Sequence, residues 1–243
     1  MIPKRLYYIW FGSQALPAIS RKYLQKWQRL NPDFELIKIS ENQFNINYCR
    51  FTQQAYAKGD FAFVSDVARL WVIYHYGGFY IDIDVEPLRP IGNLCKYRQI
   101  WAKEDVGMVA SGLLFGSEAH VKPLQKILQN YRSARYQSND LTALTTVKMC
   151  SSVLSHYGLK KDKHNNVLTN GGLVLAPEYC APFHYWGGGK VTGQTISIHH
   201  YTDRPNWTHS SRSKMNYFLH QTMYYFPAWG EFVRWVANKT RSR

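Results

Sequence analysis

Apolar and polar positions along this chain alternate in some stretches and recur every three to four residues in others, predicting strands and helices in turn. Residues 5–11 (RLYYIWF) form an aromatic, β-prone run that stops at Gly12, which predicts a buried strand and its turn. Apolar residues then fall at Ile19, Tyr23, Leu24, Trp27 and Leu30, the spacing of one helix face, with Ser20 near the start and Asn31-Pro32 as the stop. Residues 34–39 (FELIKI) alternate like a second strand. Strand, helix, strand in such close succession is a βαβ unit, which implies a parallel sheet. Farther on, Ser65-Asp66 predicts the cap of a helix running through Ala68, Leu70, Trp71 and Ile73 to Gly77. Residues 108–115 read as a strand, 121–131 and 142–157 as helices, 173–176 and 195–199 as short strands, and Gly187-Gly188-Gly189 as a loop. No repeat or linker interrupts the series, so the expected fold class is α/β in one domain.

The most informative stretch is Y-G-G-F-Y-I-D-I-D-V-E, residues 76–86, read as a turn followed by a strand. Side chains alternate faces along a strand, so Ile81, Ile83 and Val85 would point one way and Asp82, Asp84 and Glu86 the other. Two carboxylates so placed repel each other and lose hydration, and burying either unpaired costs several kcal/mol. A hard divalent cation, Mn²⁺ or Mg²⁺, would remove that cost. An edge strand with a solvated acidic face would carry the same residues.

Composition narrows the partners. Hydrophobic residues at 45% and aromatic residues at 16% supply a substantial core and argue against wholesale disorder. The net charge of +14, from 30 Lys+Arg against 16 Asp+Glu, favours polyanions: nucleic acid, an anionic membrane surface or phosphorylated substrates. Solubility alone would also account for it. Cys49, Cys95, Cys150 and Cys180 are widely spaced, so buried reduced thiols are expected rather than a disulfide framework or a zinc site. The first residues run straight into strand-like sequence without a signal-peptide core, and residues 61–81 are broken by Asp66, Arg69 and glycines. A cytoplasmic protein is expected, peripheral on the inner face of the plasma membrane in one reading of its tail. That tail, 224–243, sets Tyr224, Tyr225, Phe226, Trp229 and Trp235 beside Arg234, Lys239, Arg241 and Arg243, a mixture suited to a membrane interface. A C-terminal helix docked on the core with a solvated basic end fits equally well.

In parallel α/β sheets ligands bind beyond the carboxyl ends of the strands. Asp82 and Asp84 would lie at one such end. Trp10, ending the first strand, would stack on a base or serve as core. Asp66 and Arg69, three apart at a helix start, would hold sugar hydroxyls or phosphate, or form a cap and a surface ion pair. The segment His199-His200-Tyr201 through Asn206-Trp207 offers an imidazole to a metal and an indole to a nucleotide, or is an ordinary polar loop.

Taken together, I-P-K-x-x-x-x-I-W-F-G at residues 2–12, S-D-x-x-R at 65–69 and the D-x-D stretch at 76–86 resemble glycosyltransferase family 32, the family with the D-x-D sugar-binding motif. That family includes bacterial capsule and exopolysaccharide transferases and has a core related to the large clostridial glucosylating toxins. The resemblance implies one GT-A domain, Rossmann-like, with a mostly parallel central sheet and a helical C-terminal part. Residues 1–115 would bind the nucleotide sugar, 116–223 would face the acceptor, and 224–243 would be the basic aromatic tail. It implies a retaining, metal-dependent transfer from a nucleotide sugar, UDP-hexose in the first instance, to a saccharide acceptor that is free or lipid-linked. Carried over by position, Trp10 would stack on the donor base, Asp66 and Arg69 would hold the donor sugar, and Asp82 would touch ribose or sugar and help organise the metal. Asp84 would ligate the metal. His200, with His199 as substitute, would complete its shell, and Trp207 would reach the phosphates. No dedicated base is implied, because in front-face attack the leaving phosphate takes the acceptor's proton. Residues 111–116 and 170–172 are expected to border the acceptor cleft.

Other classes fit less of the chain. F-Y-I-D-I-D-V also matches the nucleophile strand of HAD-type phosphatases acting on sugar phosphates, yet the later acidic pair that chemistry needs is met only by Glu104-Asp105, with no apolar strand leading into it. A basic nucleic-acid-binding protein would explain the charge, but paired carboxylates repel phosphates, and no RNP, KH or zinc-finger pattern appears. No nucleic acid partner is therefore expected.

Overall fold

The computed structural model describes residues 1–136, 141–183, 189–201, 222 and 226–241. The βαβ unit is present: β1 (Arg5–Ile9), α1 (Ala18–Leu30) and β2 (Glu35–Ile39), with β1 and β2 parallel and in register from Arg5 opposite Glu35 to Ile9 opposite Ile39. Asn31 stops α1 as its position suggests. Its backbone N–H and its side-chain amide both donate to the Trp27 carbonyl, at 3.0 and 3.1 Å, while its Oδ1 accepts from the Ile91 N–H at 2.8 Å. α2 (Arg50–Ala57) follows, capped reciprocally by Cys49 and Thr52, and was not anticipated from the pattern.

The long buried helix α3 (Phe61–Tyr76) begins well before the expected cap at Ser65-Asp66. Asp66 and Arg69 therefore sit inside the helix, where they cannot serve as a cap. It ends at Gly77, and the chain reverses into β3 (Gly78–Tyr80) through two glycines with φ of 63° and 114°. A Cβ on Gly77 would stand 3.0 Å from Pro3, and one on Gly78 would stand 2.9 Å from the Arg5 carbonyl. Left-handed backbone and close strand approach both demand glycine here.

The acidic stretch is not one strand. β3 pairs with β1, then the chain leaves the sheet in a turn closed by Val85 N–H to Asp82 O, and β4 (Val85–Pro87) pairs antiparallel with β10 (Ser197–His199) in a separate ribbon. A strand covered on both faces has no place for two carboxylates, and the turn carries them out to the sheet's edge.

The remaining strands are β5 (Gln99–Asp105), β6 (Met108–Val109), β7 (Phe115–Ser117), β8 (Asn166–Val167) and β9 (Leu173–Leu175). They complete an 8-stranded sheet of order β2-β1-β3-β7-β5-β9-β8, with β6 on β5. β2, β1, β3, β5 and β9 run one way and β7, β8 and β6 the other, so the sheet is mostly parallel. The expected strand over 108–115 is split because the chain folds back between Ala110 and Leu113. β5 was missed because its sequence, QIWAKED, ends in charge. Its Lys103 is fully buried, with Nζ donating to Asp162 Oδ1 (2.8 Å) and to the carbonyls of Asp162 (3.0 Å) and His164 (2.8 Å).

Strand alternation builds a core on each face. Tyr7, Tyr80 and Trp101 pack with α2, α3, α4 (Lys122–Ser133) and α5 (Thr146–Ser155). Leu6, Phe79, Ile100 and Ala102 pack with Leu24 and Trp27 of α1 and with Cys180 of α6 (Pro177–Cys180). The expected helix over 142–157 begins as a 3-10 turn, Leu141–Leu144, before α5. A last helix, α7 (Pro227–Arg241), makes the C-terminal part helical as expected. Cys95, Cys150 and Cys180 are buried free thiols and Cys49 is half-buried. Among the described residues no helix is long and apolar enough to cross a membrane.

Candidate active site

Because β1 and β3 are parallel, their carboxyl ends lie on one edge of the sheet, the edge at which open α/β sheets bind ligands. Trp10 is the first residue after β1. Its backbone N–H donates to Ile39 O at 3.0 Å and its indole N–H donates to Gln14 O at 2.6 Å. Both donors being occupied, the half-buried ring offers a ligand its π face.

Past β3, Asp82 is held from all sides. Its N–H donates to Gly112 O at 2.9 Å, and the Tyr80 hydroxyl donates to its Oδ1 at 2.8 Å. Arg69 reaches it from α3, with Nη2 3.1 Å from Oδ1 and Nη1 3.4 Å from Oδ2. The same Nη2 lies 3.2 Å from Asp66 Oδ1, one helical turn back, and the guanidinium rests 4.8 Å above the Tyr80 ring. One buried cation thus serves two carboxylates. Burial pushes Asp66 up to about 6 despite Arg69, and Asp82 adds to that rise. Burial works against the charge of Arg69, but Asp82, Tyr80 and Asp66 outweigh it and hold the guanidinium protonated.

Asp84 is buried, and His199 Nε2 stands 3.0 Å from its Oδ1 and 3.8 Å from Asp82 Oδ2. Asp82, Asp84 and His199 each offer one ligand atom, all within 4.8 Å of one another. Burial opposes charging the imidazole, but Asp84, Asp82 and Glu104 outweigh it and raise its pKa above the ordinary 6.5. The site therefore draws in positive charge, and its carboxylate oxygens and single imidazole suit Mn²⁺ or Mg²⁺. His199 Nδ1 is buried and has no hydrogen-bond partner among the described residues.

The preference for His200 over His199 is corrected by this geometry. Successive side chains point to opposite faces at the end of β10, so only one of the two can meet Asp84. His199 does. His200 turns to Glu86, its Nε2 3.1 Å from Oε2, stacks on Tyr23 at 5.3 Å between centroids, and donates its backbone N–H to Asp84 O at 3.1 Å. Lys26 closes the far side of Glu86 at 2.8 Å, and His200 and Lys26 hold that carboxyl down at about 2.

Other expectations change too. Within the expected acceptor border at 111–116, Gly112 lies against the Asp82 carboxylate. A Cβ on Gly112 would fall 2.0 Å from Asp82 Oδ2 and 2.8 Å from Arg69 Nη1, while Phe115 lies in the core. Residues 170–172 precede β9 and so lie at the opposite edge, where Asn170 donates to Gln99 Oε1 at 3.1 Å. Trp207, Tyr224 and Tyr225 lie outside the described residues. No role was expected for Tyr80 or for Thr146, whose hydroxyl donates to Asp66 Oδ1 at 3.4 Å. Tyr80 lies within the motif itself, whereas nothing local marks Thr146.

Parts of the chain are similar to known proteins. Residues 17–106 match the family described as a glycosyltransferase sugar-binding region containing the DXD motif. Inositol phosphoceramide mannosyltransferase 2 of Schizosaccharomyces pombe is 30% identical over 134 residues, which make up 54% of this chain and 38% of that protein. The chain spans well under half of that relative's length. Among solved structures, the PaToxG glycosyltransferase superposes with a TM-score of 0.51 at 16% identity, covering 64% of this chain and 68% of that one. The fold is thus similar to that of a glycosyltransferase, and residues 17–106 resemble a glycosyltransferase sugar-binding region containing the DXD motif.

Proposed function

We propose that the protein is a divalent-metal-dependent, retaining glycosyltransferase that moves a hexose from a nucleotide sugar to a hydroxyl of a saccharide acceptor, free or lipid-linked. The observation that carries this reading is the convergence of Asp82, Asp84 and His199 beside the Asp66–Arg69 pair, at the carboxyl ends of β1 and β3. Asp82, Asp84 and His199 would hold Mn²⁺ or Mg²⁺, which when bound neutralises charge developing on a leaving nucleoside diphosphate.

The chain's own residues divide the remaining work. Trp10 offers an aromatic face to the base. Asp66, fixed by Arg69 and Thr146, accepts hydrogen bonds from sugar hydroxyls, and Arg69 holds Asp82 and Asp66 in alignment. Both Asp82 oxygens are engaged by Arg69 and Tyr80, which suits a positioned ligand better than the free nucleophile of a phosphatase. In front-face attack the leaving phosphate accepts the acceptor's proton, so no side chain is assigned as base. A UDP-linked donor and synthesis of a bacterial surface polysaccharide are the starting expectations. The relative's name adds mannose as a donor sugar and an inositol phosphoceramide as an acceptor to try.

Incubation with a panel of nucleotide sugars and Mn²⁺, scored for donor hydrolysis and for transfer to saccharide acceptors, tests the reading. One donor should be consumed, and chelation should stop it. Release of phosphate from sugar phosphates with every nucleotide sugar untouched would reject it.

A further inference from the structure

The last helix turns a row of large apolar side chains away from the protein. Trp229, Phe232, Trp235 and Val236 are 46%, 54%, 55% and 40% exposed, and Phe226 just before the helix is 66% exposed. Positions 229, 232 and 236 recur at helical spacing, with 235 at their border, so they form one stripe. The rings are stacked in series, with Trp229–Phe232 centroids 5.9 Å apart and Phe232–Trp235 6.1 Å apart. On the opposite side of the helix Gly230 is buried, while half-buried Val233 and exposed Glu231, which pairs with Lys190 at 3.0 Å, flank the stripe. The Gly230 side faces the body of the protein; the aromatic side has been left outward.

Contiguous exposed aromatics of this kind mark interaction surfaces. Cations accompany them: Lys239 Nζ lies 4.4 Å over the Trp235 ring, and Arg234, Arg241 and Arg243 belong to the same stretch of chain. The whole chain carries a net +14. At 15 residues the helix is about 22 Å long, short of the roughly 30 Å hydrocarbon layer, so it can lie in an interface but not span one.

We propose that α7 docks the protein on an anionic lipid surface, Trp229, Phe232 and Trp235 entering the headgroup boundary and the neighbouring cations meeting lipid phosphates. Indole and phenyl rings suit that boundary, and a strongly basic chain is drawn to a negative surface and repelled by its own copies. The docking holds whatever reaction the DXD site performs.

The full chain is mixed with phosphatidylcholine vesicles with or without phosphatidylglycerol, and bound protein is separated by flotation. Binding to the anionic vesicles should be at least about tenfold tighter and should weaken as salt shortens the screening length. Combined Trp229→Ser, Phe232→Ser and Trp235→Ser should cost a further factor of at least about ten. Circular dichroism and donor hydrolysis should be unchanged, since these side chains are exposed. In the parent, tryptophan emission should shift to the blue on anionic vesicles. Absence of binding at low salt, or equal binding by the triple variant, overturns the proposal. So does concentration-dependent self-association that the triple variant abolishes, which would show a second copy covering the stripe.

Discussion

Asp82, Asp84 and Glu86 lie within five residues of one another, yet they end in two different electrostatic settings. Glu86 is flanked by Lys26 and His200 and is held well below its ordinary pKa. Upstream, Asp82 shares a single guanidinium with Asp66, and Asp84 meets an imidazole whose pKa these carboxylates raise. A carboxylate matched with cations adds to stability, and one short of cations is poised to bind them. The Glu86 group thus pins α1 to the β4–β10 ribbon, while the Asp82 group is the one proposed to hold a ligand.

The largest contrast should come from the proposed metal ligands. Asp84→Asn keeps the size of the side chain but removes the anion, and should lower metal-dependent turnover by about a thousandfold with little change in thermal midpoint. Unaltered turnover would remove Asp84 from the site. Next, His199→Gln should weaken Mn²⁺ activation by about tenfold to a hundredfold, whereas His200→Gln should leave the metal titration in place and loosen only the Glu86 contact. The reverse ranking would restore His200 as the ligand.

Gly112→Ala places a methyl group where Asp82 Oδ2 now stands, 2.0 Å away. Displacing that carboxylate should cost turnover on the order of a hundredfold and raise the KM for the donor, as measured by steady-state kinetics. Trp10→Ala, which removes only a stacking face, should raise the donor KM about tenfold and leave kcat nearly unchanged.

The smallest effects are in the pH dependence of stability, where the two groups should have opposite signs. Burial lifts Asp66 from 3.8 to about 6, so the fold disfavours its ionised form; that cost is absent below pH 3.8 and complete above pH 6. Asp66→Asn should therefore gain on the parent as pH rises through this window. Glu86 is lowered from 4.5 to about 2, so its stabilisation is complete above pH 4.5 and disappears as pH falls toward 2. Glu86→Gln should lose about 1 kcal/mol at neutral pH, and the parent's advantage should vanish across that acidic window. Urea midpoints measured against pH would distinguish the two.

Much of the fold was legible. The βαβ start, the stop at Asn31, the glycine exit of α3 and the short strands at Leu173–Leu175 and Ser197–His199 all follow from local spacing or turn chemistry. The misses share one cause. β5 hides a charged residue that becomes acceptable only once Asp162 and His164 surround its ammonium. The acidic strand is broken because the layers of helices over both faces of the sheet exclude its carboxylates, which a linear pattern cannot show.

By itself the sequence determined the chemistry available: two aspartates around one isoleucine, an Asp–Arg pair at helical spacing, adjacent histidines and a basic aromatic tail. Only the tertiary structure decided which of these meet. It chose His199 over His200, set Arg69 between Asp66 and Asp82, and pressed Gly112 against the carboxylate. Residue type and near-neighbour spacing are written in the chain, but distances between groups a hundred residues apart exist only once the sheet has fixed the strand ends that carry them.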